Sequence, residues 1–318
     1  MKKEETLYDV LYDYQTRLQG VSNDLGVKLA AIMYATEGKV LSVLKKDAPK
    51  SARGLKSEID RVNKLVKKLE ETRAPSYDAA KDLIFSTCGT VVENATKQTA
   101  VEALISASRR KEEIEQALNL EGDRRKLREE RFVKTLTPTQ QKAIIEGQGI
   151  DGATIGEWFQ RWRRQGLEEL TALVRRASVE SLTVAEIAKA ARGTAANGFA
   201  DGVFANIRMS AMRLARTLVN GVSNNARVET ICENSDVIDG VKFVGTLDGK
   251  TCPHCAAYDG QIWRGDSMES ARSPPLHPNC RCTLVPWVEL KDADGNPIEV
   301  DAERPAANAD FDKLAEDA

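Results

Sequence analysis

Between Cys252 and Cys282 the chain places four of its six cysteines and both of its histidines. The run begins Cys252-Pro253-His254-Cys255, passes through a polar loop, and closes with His277-Pro278-Asn279-Cys280-Arg281-Cys282. Each end offers two ligand-type residues at i and i+3 with proline second. That spacing lets one tight turn aim both side chains at a single point, and proline stiffens the turn. Two such turns supply the four sulfur and nitrogen donors that a tetrahedral zinc ion takes. Whatever else the chain does, its last third must fold so that these two turns meet.

Other uses of the cysteines fit less well. The opening Met1-Lys2-Lys3-Glu4-Glu5-Thr6 lacks the apolar core of a signal peptide, so a reducing compartment is expected, where clustered Cys-x-x-Cys pairs bind metal more often than they form disulfides. A redox Cys-x-x-Cys usually opens a helix after a strand and has no second ligand pair downstream. Five residues compete for four places. Cys252, Cys255, His277 and Cys280 make the tidiest set and leave Cys282 spare, although the Cys-x-Cys turn also lets Cys282 replace Cys280. His254 lies between two ligands and is expected to face outward. A full shell leaves no open position for water, so the metal is read as structural.

With 318 residues the chain has room for more than one unit, and 30% charged with only 5% aromatic residues suits extended helices better than one large core. A formal net charge of −2 gives no global pull toward nucleic acid, so any such contact must be local. No apolar run approaches the roughly twenty residues that cross a bilayer, and no membrane association is expected.

Near the start, Leu7, Leu11, Tyr14, Leu18, Val21, Leu25 and Ile32 recur at steps of three and four, a seam that predicts a long helix docking along a partner helix. Leu7, Leu11, Leu18 and Leu25 are its candidate docking residues. Ile59, Val62, Leu65, Val66 and Leu69 form a second amphipathic piece, with a turn between the two at Lys46–Gly54. Pro75 is read as opening a further helix toward Leu118. The charge runs at Arg109–Glu115 and Asp123–Arg131 interleave both signs and read as solvated helix faces.

From Thr137 the pattern changes to short capped helices. Thr137-Pro138-Thr139-Gln140, Thr154-Ile155-Gly156-Glu157 and Thr183-Val184-Ala185-Glu186 are capping boxes, while Gly166 and Gly193 stand where helices would stop. Trp158, Phe159 and Trp162 share a stripe beside Arg161, Arg163 and Arg164. Such a stripe can stack on nucleic acid, but packing of the aromatics into the core is the commoner use. Residues 195–234 read as another helix, carrying Arg208, Arg213, Arg216 and Arg227. Beyond Asp239-Gly240 the period drops to two, and strands are expected at Val241–Val244, Gln261–Trp263 and Thr283–Val285. The ending from Asp301 is acidic and poor in large apolar residues, as mobile tails are.

The fold expected is therefore mainly α, with a long N-terminal helical arm, coiled-coil-like, and a small C-terminal α+β zinc-binding module. The divisions fall at 1–135 for the arm, 136–236 for a helical head domain, 237–300 for a small β zinc-knuckle module and 301–318 for the tail.

The block Gly245-Thr246-Leu247-Asp248-Gly249-Lys250-Thr251-Cys252-Pro253-His254-Cys255, continuing through Tyr258-Asp259-Gly260, resembles the C-terminal signature of phage minor head proteins similar to phage Mu protein F. The closing Pro274-Pro275-Leu276-His277-Pro278-Asn279-Cys280-Arg281-Cys282-Thr283 is similar to the most specific string of that family, and Arg216-Thr217 with Asn224-Asn225-Ala226-Arg227 looks like its lead-in. The resemblance spans roughly residues 140 to 288 and is sharpest at the two cysteine blocks. It implies a minor capsid protein of a tailed phage, located in the virion at the capsid interior or portal vertex after assembly in the host cytoplasm. It further implies portal or major capsid proteins as partners and a part in head morphogenesis and in genome packaging or ejection. The N-terminal half carries no such signature; its seam can pair within the chain or between chains, the latter as self-association through this helix.

Two other classes fit the residues less well. A metal-dependent nuclease or other enzyme acting on nucleic acid would need a general base from His254 or a carboxylate, with Asp248, Asp259 and Asp266 gathered around a second ion. Asp248 and Asp259 precede turns, where aspartate ordinarily bonds the following amides, and the chain has neither a phosphate-cradling glycine loop nor a nucleophile elbow. No catalytic residue is therefore assigned. A sequence-tolerant contact with packaged DNA would use Arg161, Arg163 and Arg164 with the arginines from Arg208 to Arg227, chiefly Arg213 and Arg216.

Overall fold

The computed structural model describes residues 7–47, 55–117, 133–246, 248 and 250–289. Most of the turn expected at Lys46–Gly54, the charge run at 123–131 and the acidic ending at 301–318 lie outside the described residues, as do the side chains of Arg109–Glu115.

Two long helices come first, α1 (Leu7–Asp47) and α2 (Leu55–Ala117). On α1 the buried residues include Leu11, Tyr14, Leu18, Leu25, Leu29, Met33, Val40, Leu41 and Leu44, one stripe of a helix. A strict heptad would keep Val21 on that stripe. A straight α-helix drifts off the 3.5-residue repeat, so Ser22 is buried and Val21 is exposed. This stripe packs on α2 and on α6 (Val203–Cys232) within the same chain. The long N-terminal helix is thus present, but Leu11, Leu18 and Leu25 are covered by the chain's own helices rather than offered to a partner.

Pro75 does not begin a helix; it sits inside α2, which runs through it. Proline removes one backbone donor and usually kinks a helix interior. Neighbouring Arg73 and Tyr77 reach across to α4 (Ile155–Val179), with Arg73 donating to the Gly166 carbonyl at 3.2 Å, and these contacts supply tertiary support at that turn. Gly166, read as a helix stop, is likewise interior to α4. A Cβ there would lie 2.7 Å from the Tyr77 hydroxyl oxygen and 3.2 Å from Arg73 Nη1, so the glycine serves close helix packing.

All three capping boxes form, at the starts of α3 (Pro138–Glu146), α4 and α5 (Val184–Arg192). Gly193 ends α5 with φ 92°, a conformation that favours glycine. The helix expected from residue 195 begins later. A 3-10 turn at Ala195–Asn197 and left-handed Gly198 and Phe199 precede α6, whose N-cap is Gly202.

After α6 come β1 (Gly240–Val244), the short helix α7 (Pro253–Tyr258), β2 (Ile262–Arg264), a 3-10 turn at Gly265–Ser270 and β3 (Thr283–Trp287). They form an antiparallel sheet in the order β2-β1-β3, with Val241 opposite both Trp263 and Pro286. Pro286, which cannot donate to a ladder, lies on the edge strand β3. The apolar interior falls into two clusters. One joins α1, α2, α4 and α6; the other joins the sheet and the cysteines to Ala103 of α2 and Ile231 of α6. No helix among the described residues is long and apolar enough to cross a membrane.

Candidate metal centre

The first cysteine turn is the start of α7. Cys252 is its N-cap with extended backbone (φ −76°, ψ 154°), Pro253 takes the first helical position, and the Cys255 amide donates to Cys252 Sγ at 3.4 Å. The helix start thereby turns both sulfurs to one side. The second turn is closed by the Cys280 amide donating to the His277 carbonyl at 3.1 Å. Asn279 sits at φ 63°, and proline followed by a left-handed residue is the pattern of a type II turn.

The fold brings these turns together. Ligand atoms of Cys252, Cys255 and His277 lie within 4.8 Å of one another, and so do those of Cys255, Cys280 and Cys282. Cys255 belongs to both trios and stands at the centre. Its Sγ is 3.2 Å from His277 Nε2 and 3.7 Å from Cys280 Sγ. Zinc–sulfur bonds of about 2.3 Å in tetrahedral geometry put two ligand sulfurs about 3.8 Å apart, so the Cys255–Cys280 spacing fits one edge of such a shell. Cys282 is not set apart from the rest; it is buried and shares a trio with Cys280. His254 is exposed and packs edge-on to Tyr258, outside the cluster.

The electrostatics of the cluster are those of a group that could hold a cation. A hydrogen bond from Cys282, ahead of opposing burial, holds the Cys280 thiol down to about 5, whereas burial first and the Cys280 charge second push Cys255 up to about 12. Packed sulfurs of this kind cannot all ionise against one another; a divalent ion removes that conflict by accepting them as thiolates. His277 is already oriented for the task. A carbonyl only accepts, so the 2.9 Å contact with Pro278 O places the proton on Nδ1 and leaves the Nε2 lone pair toward Cys255.

Around the cluster runs a polar scaffold that the sequence reading did not assign. Asn220 Nδ2 donates to the carbonyls of Cys280 (3.1 Å) and Cys282 (3.2 Å), while Asn224 Oδ1 accepts from the Leu284 amide (2.9 Å) and the Thr283 hydroxyl (3.1 Å). One turn on, fully buried Arg227 makes a two-pronged pair with Glu102 of α2 (2.6 and 2.9 Å), donates to the Leu284 carbonyl (3.1 Å) and lies 4.6 Å above the Tyr14 ring. Asn220, Asn224 and Arg227 are spaced four and three along α6, a polar stripe on the buried face of that helix. That spacing is the sequence signal that could have marked them.

On the other side, Arg281 Nη2 bonds Asp248 Oδ1 at 2.6 Å, and Asp248 also accepts from the Lys250 amide at 2.9 Å. These bonds, the Arg281 pair first, hold the Asp248 carboxyl far below the ordinary carboxylate range. Asp259 accepts from the Gly245 amide at 2.8 Å. Asp248, Asp259 and Asp266 are therefore not gathered around a second ion; among the described residues both groups able to hold a metal consist of cysteine and histidine.

The aromatic–basic stripe of α4 divides. Phe159 and Trp162 are core residues: Trp162 Nε1 donates to Ser210 at 3.0 Å and meets Tyr77 edge-on, with ring centroids 5.3 Å apart. Arg161 covers the Trp158 ring, Arg163 pairs with Glu70 at 3.2 Å, and Arg164, Arg213 and Arg216 are exposed. Arg227 is removed from any surface role by its burial, and Arg208 is paired with Glu37.

Residues 141–285 match the family model described as Phage Mu protein F like protein. The matched stretch opens inside α3 and closes inside β3, so it takes in both cysteine turns and the α6 scaffold. No curated protein and no solved structure matches the chain.

Proposed function

We propose that this chain, of which residues 141–285 are phage Mu protein F like, is a non-enzymatic minor head protein of a tailed phage. It enters the head during assembly, contacts portal or major capsid proteins, and serves genome packaging or delivery. The observation that carries the reading is the coincidence of the family match with the complete cysteine–histidine centre and its scaffold.

In this reading Cys252, Cys255, His277 and Cys280 hold one zinc ion, with Cys282 as the exchangeable fifth donor. The ion supplies a cross-link between two turns, added to the small apolar cluster that the sheet shares with α2 and α6. The residues around it set its geometry: His277 presents Nε2, Asn220 fixes the carbonyls of the second turn, and Arg281 with Asp248 anchors the loop before α7. A four-ligand shell and the dispersed carboxylates support a structural role over catalysis.

The test is made in the phage itself. Purified virions and procapsids should contain the protein in few copies, and phage lacking its gene should give misassembled heads or heads that deliver DNA poorly. Absence from both particles would remove the reading. Turnover of DNA, RNA or nucleotides by the metal-replete protein would move it to an enzyme.

A further inference from the structure

Beside the metal turns, α1, α6 and the second cysteine turn enclose a cleft of about 520 Å³. Among the described residues its walls include Arg216, Lys250 and Arg281 and no aspartate or glutamate. Arg281 is already paired with Asp248. Arg216 bonds Asn23 only through Nε, at 3.2 Å, and neither its guanidinium nor the Lys250 ammonium has a carboxylate partner among the described residues. Two wall atoms, Gln15 Nε2 and Asn279 Oδ1, are buried without a hydrogen-bond partner among the described residues. One is a donor and one an acceptor, and an unmet buried polar group is costly until something completes it.

We propose that this cleft binds a phosphate-bearing ligand of nucleotide size, with Arg216 and Lys250 on the phosphate. The volume lies within the range of ligand pockets and far exceeds a phosphate ion alone. The charge demands an anion, and the unmatched amides provide for polar groups beyond it. Among the described residues no Phe, Tyr or Trp ring lines the cleft, and its one imidazole, His277, belongs to the candidate metal centre, so the base has no dedicated stacking platform and the site is tolerant of base identity. The inference rests on the cleft's own geometry and stands apart from the head-protein reading.

Calorimetry on the full-length, metal-replete chain tests it with three probes: inorganic phosphate, deoxyadenosine monophosphate and a short single-stranded oligonucleotide. Phosphate should bind weakly and at least one of the larger probes more tightly. Binding of the mononucleotide identifies a free nucleotide as sufficient; binding of the strand alone assigns the phosphate to a nucleic-acid backbone. Arg216→Ala and Lys250→Ala should each weaken the tighter probe by about tenfold, the scale of losing one charged hydrogen bond. They should also lower the salt slope of strand binding by about one. Arg175→Ala, an exposed α4 position outside the cleft, should change neither. Failure of all three probes overturns the proposal. So does an Arg175→Ala loss equal to that of Arg216→Ala, which would mean diffuse charge attraction.

Discussion

At Arg227 a single side chain ties together α6, α2, β3 and the Tyr14 ring of α1. Its charge is wholly out of water and its partner Glu102 is equally buried. Removing one member of such a pair strands the other, which typically costs about 3–5 kcal/mol. Arg227→Met should therefore lower stability by that amount in denaturant unfolding, and adding Glu102→Gln should recover part of it. Gly166 is a second such position. Because its added methyl would press on Tyr77 and Arg73, Gly166→Ala should cost about 1–3 kcal/mol by the same measurement, despite alanine's better helix propensity. Asp201 is a third, where electrostatics decide. The Thr194 amide first, then the Asn197 and Thr194 side chains, hold its carboxyl down to about 2 from an ordinary 3.8. A depressed carboxylate stabilises the fold above its unfolded value and loses that contribution as pH falls through the folded one. Carboxyl NMR should therefore find the Asp201 midpoint near 2, and Asp201→Asn should abolish the accompanying shift of the 193–202 loop. The capping residues were legible because their chemistry is local. Gly166 and Arg227 were not, because their meaning comes from α2, far away in sequence.

Among the elements, α1 shows how a local pattern can specify a helix and leave its partner open. The stripe through Leu11, Leu18 and Leu25 specified a long helix with one apolar face; nothing in its periodicity said that α6 and α2 would cover that face. Leu11→Asp with Leu18→Asp should therefore lower the thermal stability of the helical core itself. Retained stability with only lost self-association would restore the intermolecular seam. The sheet was legible at its strand positions because the period changes to two after Gly240. In the proposed reading the sheet depends on metal, because the cysteines lie in its interior. Stripping the metal with chelator should release amide protection across 240–287 while the amides of α4 and the middle of α2 stay protected, as hydrogen exchange would show.

For the molecule as a whole, the sulfur–nitrogen cluster and the helical core are joined rather than merely adjacent. Asn220 and Asn224 bond the carbonyl groups and amide of the second turn and β3, and Arg227 extends the link to α2. The cysteine spacing announced the centre, since each i, i+3 turn is encoded within four residues. It did not announce how the two turns share Cys255, nor that Cys282 belongs with Cys280, because both depend on the closure of β1 against β3. The proposed role also depends on this centre, the part of the chain where the family match and the geometry coincide. The most direct measurement is metal content with X-ray absorption on the purified full-length chain. One zinc per chain with three sulfurs and one nitrogen, lost in Cys255→Ser, is the result this account predicts. A chain without stoichiometric metal, or one whose metal survives Cys255→Ser unchanged, would contradict it.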